Sequence, residues 1–391
     1  MPHAVIVDVV RTPSGRGKPG GALSAVHPVD LAAHVLTALL ERSGLESRQV
    51  DDVLMGCVSQ VGDQAMNIAR HAVLAAGFDE TVPAVTIDRQ CGSSQQAAHF
   101  AAQGVIAGAY DIVIAAGVES MSRVPLGSSR VGGTKAPGLV HRYPGGLVNQ
   151  GVSAELIAQK WGFTREQLDA YSAESHRRAA DAWSRGAFDS QVLPVRGGAE
   201  AVAFDETVRT GTTVESLAGL KPAFRTDELA ARFPDLDWRI TAGNSSPLTD
   251  AASAALIMSE EKAAELGLTP RARFHSFAVV GDDPIMMLTG PIPATRRILE
   301  RSDLTIADLD AYEVNEAFAS VPLAWQQDLD ADPAKLNPWG GAIALGHAVG
   351  ASGTRLLGTL VSHLEATGGR YGLQTMCEGG GMANATIIER L

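Results

Sequence analysis

Four short stretches of this 391-residue chain carry side chains suited to covalent chemistry. In the first, Asp88-Arg89-Gln90-Cys91-Gly92-Ser93-Ser94, an apolar run from Val82 to Ile87 leads into a thiol, a glycine and two serines, and a small-residue segment follows to Ala109. That order predicts a strand, a tight turn and a helix, with Cys91 at the turn. The free N–H groups and partial positive charge of a helix N-terminus favour a thiolate, so Cys91 is expected to be a nucleophile at neutral pH. Asn315-Glu316-Ala317-Phe318, Gly346-His347 and Cys377-Glu378-Gly379 also fall where a strand gives way to a turn, the usual location of ligands in α/β sheets. Together the four supply a nucleophile, an amide, an imidazole and a second thiol. Taken singly, each has a plainer reading: packing for a thiol, a turn for Asn315, a satisfied loop histidine for His347. Cys57, inside an apolar strand with no motif around it, is read as packing.

The elements that must position these residues follow from periodicity. Ala4–Val10, Val53–Val58, Val82–Ile87 and Asp111–Val118 read as strands. Asp30–Gly44, Asn67–Gly77 and the segment from the Cys91 turn to Gly108 read as helices. Such alternation predicts an α/β protein with a largely parallel sheet. Ser122–Gln150 is rich in Gly, Pro, Ser and Arg and has little periodicity. Helices are expected at Ser153–Trp161 and Thr164–Arg185, and short strands alternating with charged loops over 191–240. Ser122–Ser246 is therefore read as an inserted lid or loop domain. Regular pattern resumes at Ala251–Met258, with a strand over Asp308–Val314, a glycine-rich loop Asn337–Gly353 entering a helix Thr354–Leu364, and strands at Leu373–Thr375 and Ala385–Ile388. The order of elements repeats weakly, and two like halves would bring the Cys91 and His347 turns together at the centre. The expected divisions are 1–121 completed by 247–270, the loop domain 122–246, and a second half 271–391.

Hydrophobic residues at 45% and charged residues at 19% describe a globular chain, and 41 glycines with 5% aromatics fit tight helix–sheet packing. A net charge of −12 argues against a general nucleic-acid binder. Three cysteines cannot build a disulfide framework, and no Cys/His cluster suggests a metal, so a reducing compartment is expected. Met1-Pro2-His3 runs straight into Ala4–Val10, no apolar segment reaches membrane-span length, and Ile388-Glu389-Arg390-Leu391 is not a peroxisomal signal. A cytoplasmic protein without membrane contact is expected.

Asp88–Ala97 resembles the nucleophile motif of the thiolase family. Asn337-Pro338-Trp339-Gly340-Gly341-Ala342-Ile343-Ala344-Leu345-Gly346-His347 resembles its His motif, Asn315–Phe318 its Asn-Glu-Ala-Phe signature, and Cys377–Gly381 its C-terminal Cys-x-Gly signature. Arg11-Thr12-Pro13, Gly117–Ser122 and Thr289-Gly290-Pro291 match as well, so the resemblance runs the length of the chain in order. It implies a five-layer αβαβα fold of two similar βαβαβαββ halves with an inserted loop domain.

The resemblance also implies an acyltransferase that cleaves 3-ketoacyl-CoA to acetyl-CoA and a shortened acyl-CoA. Cys91 attacks the 3-keto carbon, His347 accepts its proton as a base of near-neutral pKa, and Cys377 protonates the departing enolate and later deprotonates coenzyme A. One oxyanion site is His347 Nε2 with a water held by Asn315; the other is the backbone N–H groups of Cys91 and Gly379. Glu316 is expected to orient His347 or that water, and Phe318 to line the acyl pocket, with Met287 grouped among the substrate-binding residues. Ser246 is expected to touch the pantetheine chain, and Lys221, where the family usually has Arg, the adenine or its phosphate. No permanently bound cofactor is implied; coenzyme A is a substrate. The implied assembly is a homo-dimer or homo-tetramer formed through Arg123–His141, with a hydratase or dehydrogenase of β-oxidation as a further candidate partner.

Some positions depart from the family pattern. Asn149–Glu155 stands where acetoacetyl-CoA-specific members carry His-Met, Ala348 replaces the Pro after the His, Ala251 replaces a Gly, and Arg225–Arg239 is long. These favour a degradative enzyme taking longer or bulkier acyl groups over a biosynthetic acetoacetyl-CoA thiolase. A ketoacyl synthase needs a second His where Asn315 stands and lacks Cys377. A non-catalytic, lipid-carrying relative tends to lose the Asn or a cysteine.

Overall fold

β1 (Ala4–Arg11) is apolar along nearly its whole length and buried at every position, as a strand covered by helices on both faces must be. The computed structural model describes residues 3–134, 136–196 and 200–391. In its first half β1 is followed by α1 (Pro28–Ser43), β2 (Asp52–Gly56), α2 (Ile68–Ala75), β3 (Ala84–Ile87), α3 (Ser93–Ile106), β4 (Ile112–Ser120) and, after a long excursion, β5 (Thr249–Ser259). The second half repeats the order with β6 (Ala272–Gly281), α6 (Pro291–Ser302), β7 (Ala311–Val314), α7 (Ser320–Leu329), α8 (Ser352–Thr367), β8 (Tyr371–Glu378) and β9 (Met382–Arg390). Its third strand is reduced to a single parallel bridge between Tyr312 and Leu336.

The strands lie side by side as β7-β8-β9-β6-β1-β5-β4-β2-β3, so the two halves present the same order outward from a common seam. The seam is short, with Val5 opposite Arg273 and Ile6 opposite Ala272. The expected largely parallel sheet is corrected. Only β2–β3, β2–β4 and β7–β8 run parallel, whereas β1–β5, β4–β5, β8–β9, β6–β9 and β1–β6 are antiparallel. In each half the last strand returns beside its predecessor in the opposite direction, in the first half after the long excursion and in the second after a tight turn. β8 and β9 are joined by the three residues Gly379–Gly381, too short to join anything but antiparallel neighbours.

Five layers result. α1 and α2 cover one face of the first half, joining Leu31, Leu36, Ile68 and Val73 to Val5, Val53 and Ile114. The opposite faces of both halves close on α3 and α8, whose Ala97, Ala101, Leu357 and Leu360 meet Ile6, Ile257, Phe274 and Ile388. α6 and α7 cover the outside of the second half through Ile292, Ile298 and Trp325. The central helices pack almost backbone to backbone: a Cβ on Gly353 would lie 2.1 Å from Gln95 N.

The excursion between β4 and β5 contains α4 (Gln150–Trp161) and α5 (Arg165–Ser184). The short strands expected over 191–240 are corrected in part. Val195–Arg196 and Ala201–Val202 pair, but Val214–Ala218 and Asp227–Arg232 are short helices, each capped by a threonine, Thr213 or Thr226. Gly197, Gly198 and Ala199 in this span, and Lys135 in Arg123–His141, lie outside the described residues. Asp205 ties the excursion to the core, accepting both arms of the buried Arg11 guanidinium at 2.7 and 2.9 Å, the Ser14 N–H and the Trp183 indole N–H. Among the described residues no helix is long and apolar enough to cross a membrane.

Candidate active site

The Cys91 turn is built by its own side chains. Gln90 adopts φ 48°, the Ser93 hydroxyl donates to the Gln90 carbonyl at 2.6 Å, and the Arg89 N–H donates back to Ser93 Oγ at 2.9 Å. Gly92 caps α3, and its carbonyl accepts from Asn384 Nδ2 on β9. Cys91 is thereby turned inward, where it joins Val349, Leu356 and Met376 in one small cluster. Its thiol meets its own N–H, the N–H of Gly379 and the Gln150 side chain at the start of α4.

The expected thiolate is corrected. Burial, and secondly the charge of Glu378, push the Cys91 thiol up to about 12, outweighing those hydrogen bonds. One helix terminus cannot repay the desolvation of a thiolate sealed from water. Cys377 lies near the end of β8, fully buried against a cluster that includes Met287, Phe318 and Ile343. Burial raises its thiol well above the usual range, followed by Cys91 and then Glu378, so the two sulfurs lie within each other's field.

His347 follows the short helix Ala342–Leu345 and Gly346, whose φ of 85° makes the sharp bend. The His347 N–H donates to Thr249 Oγ1 at 2.9 Å, fixing the loop on β5. On the ring, Nδ1 lies 2.6 Å from Ser352 Oγ, which is itself 2.9 Å from the Ala348 carbonyl. A carbonyl only accepts, so the single hydroxyl proton of Ser352 points to Ala348 and its oxygen accepts from Nδ1–H. Nε2 therefore carries the lone pair, 3.4 Å from Asn315 Nδ2, which donates to it. Burial, assisted by Arg355, lowers the imidazole to about 3. The expected near-neutral base is thus corrected to a firmly neutral imidazole, since the enclosing layers exclude the water that would solvate its cation.

Asn315 follows β7, its N–H donating to the Thr375 carbonyl at 3.1 Å, and its buried Oδ1 has no hydrogen-bond partner among the described residues. Glu316 makes no hydrogen bond to His347, whose ring meets Asn315 and Ser352, and it lines a cavity with Tyr171, Ser175 and Asn337. Its carboxylate accepts from Tyr171 Oη (2.9 Å), Ser175 Oγ (2.7 Å), Asn337 Nδ2 (2.9 Å) and the Ile343 N–H (3.1 Å), pinning α5 to the loop that leads to His347. A Cβ on Gly341 would lie 2.2 Å from the Glu316 carboxyl carbon, so this loop closes directly on it.

Phe318 and Met287 are buried in the same cluster as Cys377, Phe318 meeting Phe224 edge-on at 5.7 Å. Met287 holds a left-handed φ of 48°. Ser246 is half-buried, and its N–H donates to the Ala317 carbonyl at 3.0 Å, placing it beside the Asn315–Phe318 loop. Lys221 is exposed, at the rim of the same ladder where Pro222 bridges Thr241. The structure therefore gathers Cys377, Phe318 and Met287 in one cluster, sets Cys91 on the N–H of Gly379 and within the field of Cys377, and pairs His347 with Asn315, while Lys221 stays at the rim.

Cys57 is fully buried against Gln64 Nε2 at 3.4 Å, as a packing residue. Gln150, Ser352 and Glu378 were not singled out by sequence reasoning. Glu378 stood inside a quoted motif beside Cys377, and Ser352 five residues beyond His347 where a helix begins; neither spacing by itself points to chemistry.

Comparison with known proteins agrees with this architecture. Residues 4–261 match the family Thiolase, N-terminal domain, and residues 268–390 match Thiolase, C-terminal domain. The chain is 46% identical over 400 residues to the steroid 3-ketoacyl-CoA thiolase FadA6 of Mycobacterium tuberculosis, covering 100% of this chain and 95% of that protein. It is 44% identical to a 3-ketoacyl-CoA thiolase of Cronobacter sakazakii, covering all of both. The crystal structure of the Bacillus anthracis acetyl-CoA acetyltransferase superposes with a TM-score of 0.88 at 39% identity, covering 100% of this chain and 99% of that one. With both halves matched from the first strand to the last, the chain belongs to the thiolase family.

Proposed function

We propose that the protein is a degradative 3-ketoacyl-CoA thiolase working through an acyl-cysteine intermediate. The observation that carries this reading is a pair of buried thiols within each other's field, one of them on the N–H of Gly379, together with a buried His347 whose Nε2 lone pair meets Asn315. Cys91 Sγ attacks the 3-keto carbon while its proton passes to His347 Nε2. Both groups start neutral, so proton transfer in the empty site is uphill and must accompany formation of the carbon–sulfur bond. The alkoxide formed takes the N–H groups of Cys91 and Gly379, the same donors that meet the thiol before substrate arrives. Cleavage of the Cα–Cβ bond leaves the acyl group on Cys91 and an acetyl-CoA enolate, whose oxygen faces His347 Nε2–H and a water on the free Oδ1 side of Asn315. Cys377 gives its proton to the enolate carbon. Its thiolate then takes the proton of incoming coenzyme A, and the CoA sulfur removes the acyl group from Cys91. The raised Cys377 thiolate is the stronger base of the two sulfurs, so it takes the coenzyme A proton readily.

In this reading Phe318 and Met287 line the acyl side, Ser246 the pantetheine and Lys221 the nucleotide end. Residues 1–121 with 247–270 and residues 271–391 form the two halves, and 122–246 the loop domain. The three free cysteines suit a reducing cytoplasm. The homo-oligomer and any docked hydratase or dehydrogenase belong to the same proposal. The experiment is thiolysis by Cys91→Ala and by the unaltered protein, with acetoacetyl-CoA and with a long 3-ketoacyl-CoA. Loss of thiolysis in the variant and a higher kcat/KM for the long substrate are expected. Undiminished turnover by the variant would overturn the mechanism, and a large preference for acetoacetyl-CoA would favour the biosynthetic reading.

A further inference from the structure

Within the field of both thiols sits a carboxyl group that the reaction above does not use. Glu378 ends β8, one residue after Cys377, and is fully buried. Neither carboxyl oxygen has a hydrogen-bond partner among the described residues. Its Oε1 lies 2.1 Å from where a Cβ on Gly92 would stand, so the carboxyl rests against the backbone that immediately follows Cys91. Only a glycine leaves room for it there. Asn384 Nδ2 reaches the same spot, 2.9 Å from that position, and gives one of its two N–H groups to the Gly92 carbonyl and none to the carboxyl. A carboxylate in so dry a place is unfavourable unless something pairs with it. Glu378 has no salt-bridge partner among the described residues.

We propose that Glu378 is a positioning residue held as a neutral acid, filling the space beneath the Cys91 turn, and that its ionisation at alkaline pH switches off thiolate formation at both cysteines. This inference rests on the reading of Cys91 and Cys377 as the working thiols. Negative charge develops in turn on Cys91 sulfur, on the tetrahedral oxygen and on Cys377 sulfur. A neutral acid beside them tolerates each charge, and a carboxylate repels each. The charged groups that act on Glu378 come from the turn itself: Arg89, which favours its anion, and Asp88, which opposes it. β9 presents the uncharged Asn384, and Cys91 and Cys377 are the titratable neighbours. Burial, first among the causes, moves Glu378 up to about 8, so its charge appears just above neutrality. Charged Glu378 raises the thiols of both Cys91 and Cys377.

The test is the rate of Cys91 alkylation by iodoacetamide between pH 6.5 and pH 9.5, with the modified cysteine identified by peptide mapping, in the unaltered protein, Glu378→Gln and Glu378→Asp. This readout needs no turnover, so it stands apart from whether the protein cleaves 3-ketoacyl thioesters. An isolated thiol well below its pKa gains about tenfold in rate per pH unit. The unaltered protein is expected to follow that line at low pH and bend below it as Glu378 ionises. Glu378→Gln should stay on the line and react roughly tenfold faster at the alkaline end, the effect of one unit in the thiol pKa. Glu378→Asp should restore the bend. A straight line in the unaltered protein, which can be judged even if Glu378→Gln does not fold, would overturn the proposal. Equal alkaline rates in the unaltered protein and Glu378→Gln would overturn it as well.

Discussion

At the scale of single residues, the site depends on which ring nitrogen of His347 keeps its lone pair, and that choice is made by Ser352. The hydroxyl donates to the Ala348 carbonyl and so can only accept from Nδ1–H, leaving Nε2 basic. In Ser352→Ala the ring loses that constraint, and a buried neutral imidazole is free to carry its proton on Nε2, where it cannot act as the base. The expected result is a fall in kcat of roughly 10- to 100-fold, part of what a positioned general base supplies, with KM little changed. Steady-state thiolysis measures the split; a change confined to KM would show that Ser352 acts on substrate binding instead. Because the imidazole is lowered to about 3, the variant's loss should persist unchanged from pH 8 to pH 5 and not recover as the bulk pH crosses 6.5. Glu316 shows the opposite case, a residue of a signature motif that makes no hydrogen bond to His347. Its four hydrogen bonds make it the pin that sets where the His347 loop begins.

At the scale of elements, catalysis depends on two helices whose first turns meet. α3 carries the Cys91 turn and α8 begins just past His347, and Gly353 lets them touch at Gln95. Gly353→Ala would drive a methyl group to 2.1 Å from a backbone nitrogen, which no rotamer change can relieve. Overpacking of this kind costs about 1–3 kcal/mol, and the displacement separates the nucleophile from its base, so activity should fall further than the urea midpoint alone accounts for. A variant with a normal midpoint and normal turnover would show that the contact gives way without consequence. Much of this arrangement was legible in the sequence. The apolar run to Ile87, the glycine and the small-residue helix after Cys91 marked a strand, turn and helix, and the same order around His347 marked the second half. The direction of β5 and β9 was not legible. Alternating helices and strands imply parallel pairing, and in each half the last strand reverses it, after the long excursion in one and a tight turn in the other. Nor could the thiol and imidazole pKa values be read, because desolvation is set by layers contributed from distant parts of the chain. The same holds for Glu316, whose partners Tyr171 and Ser175 come from α5, more than a hundred residues away.

At the scale of the whole molecule, the sheet ends differently on its two sides. Beyond β7 the chain supplies a bridge at Leu336. Beyond β3 it supplies no strand among the described residues, only the Asn67 side chain on the Ala84 carbonyl at 3.0 Å; β3 pairs with β2 alone, and Val85 on it is 42% exposed. Phe100 on α3, which packs against β3, is 44% exposed, and Met66, just before α2, is 83% exposed. An open strand edge flanked by uncovered apolar side chains is a pairing surface, and proteins that remain monomers blunt such edges with charge, proline or a covering loop. Here the charged residues nearest in sequence, Asp88 and Arg89, turn away into the Cys91 loop. A second copy of the chain related by a two-fold axis brings the same edge and the same apolar patch, so the contact is self-complementary and closes at two. The pairing would also stiffen β3, whose last residue leads directly into the Cys91 turn, tying assembly to the geometry of the nucleophile. Light scattering is therefore expected to report a dimer or a multiple of it, and the double variant Val85→Lys, Phe100→Lys to shift the population to monomer with a parallel loss of thiolysis. A variant that stays fully assembled would move the interface away from this edge, leaving Arg123–His141 as the segment that holds the copies together.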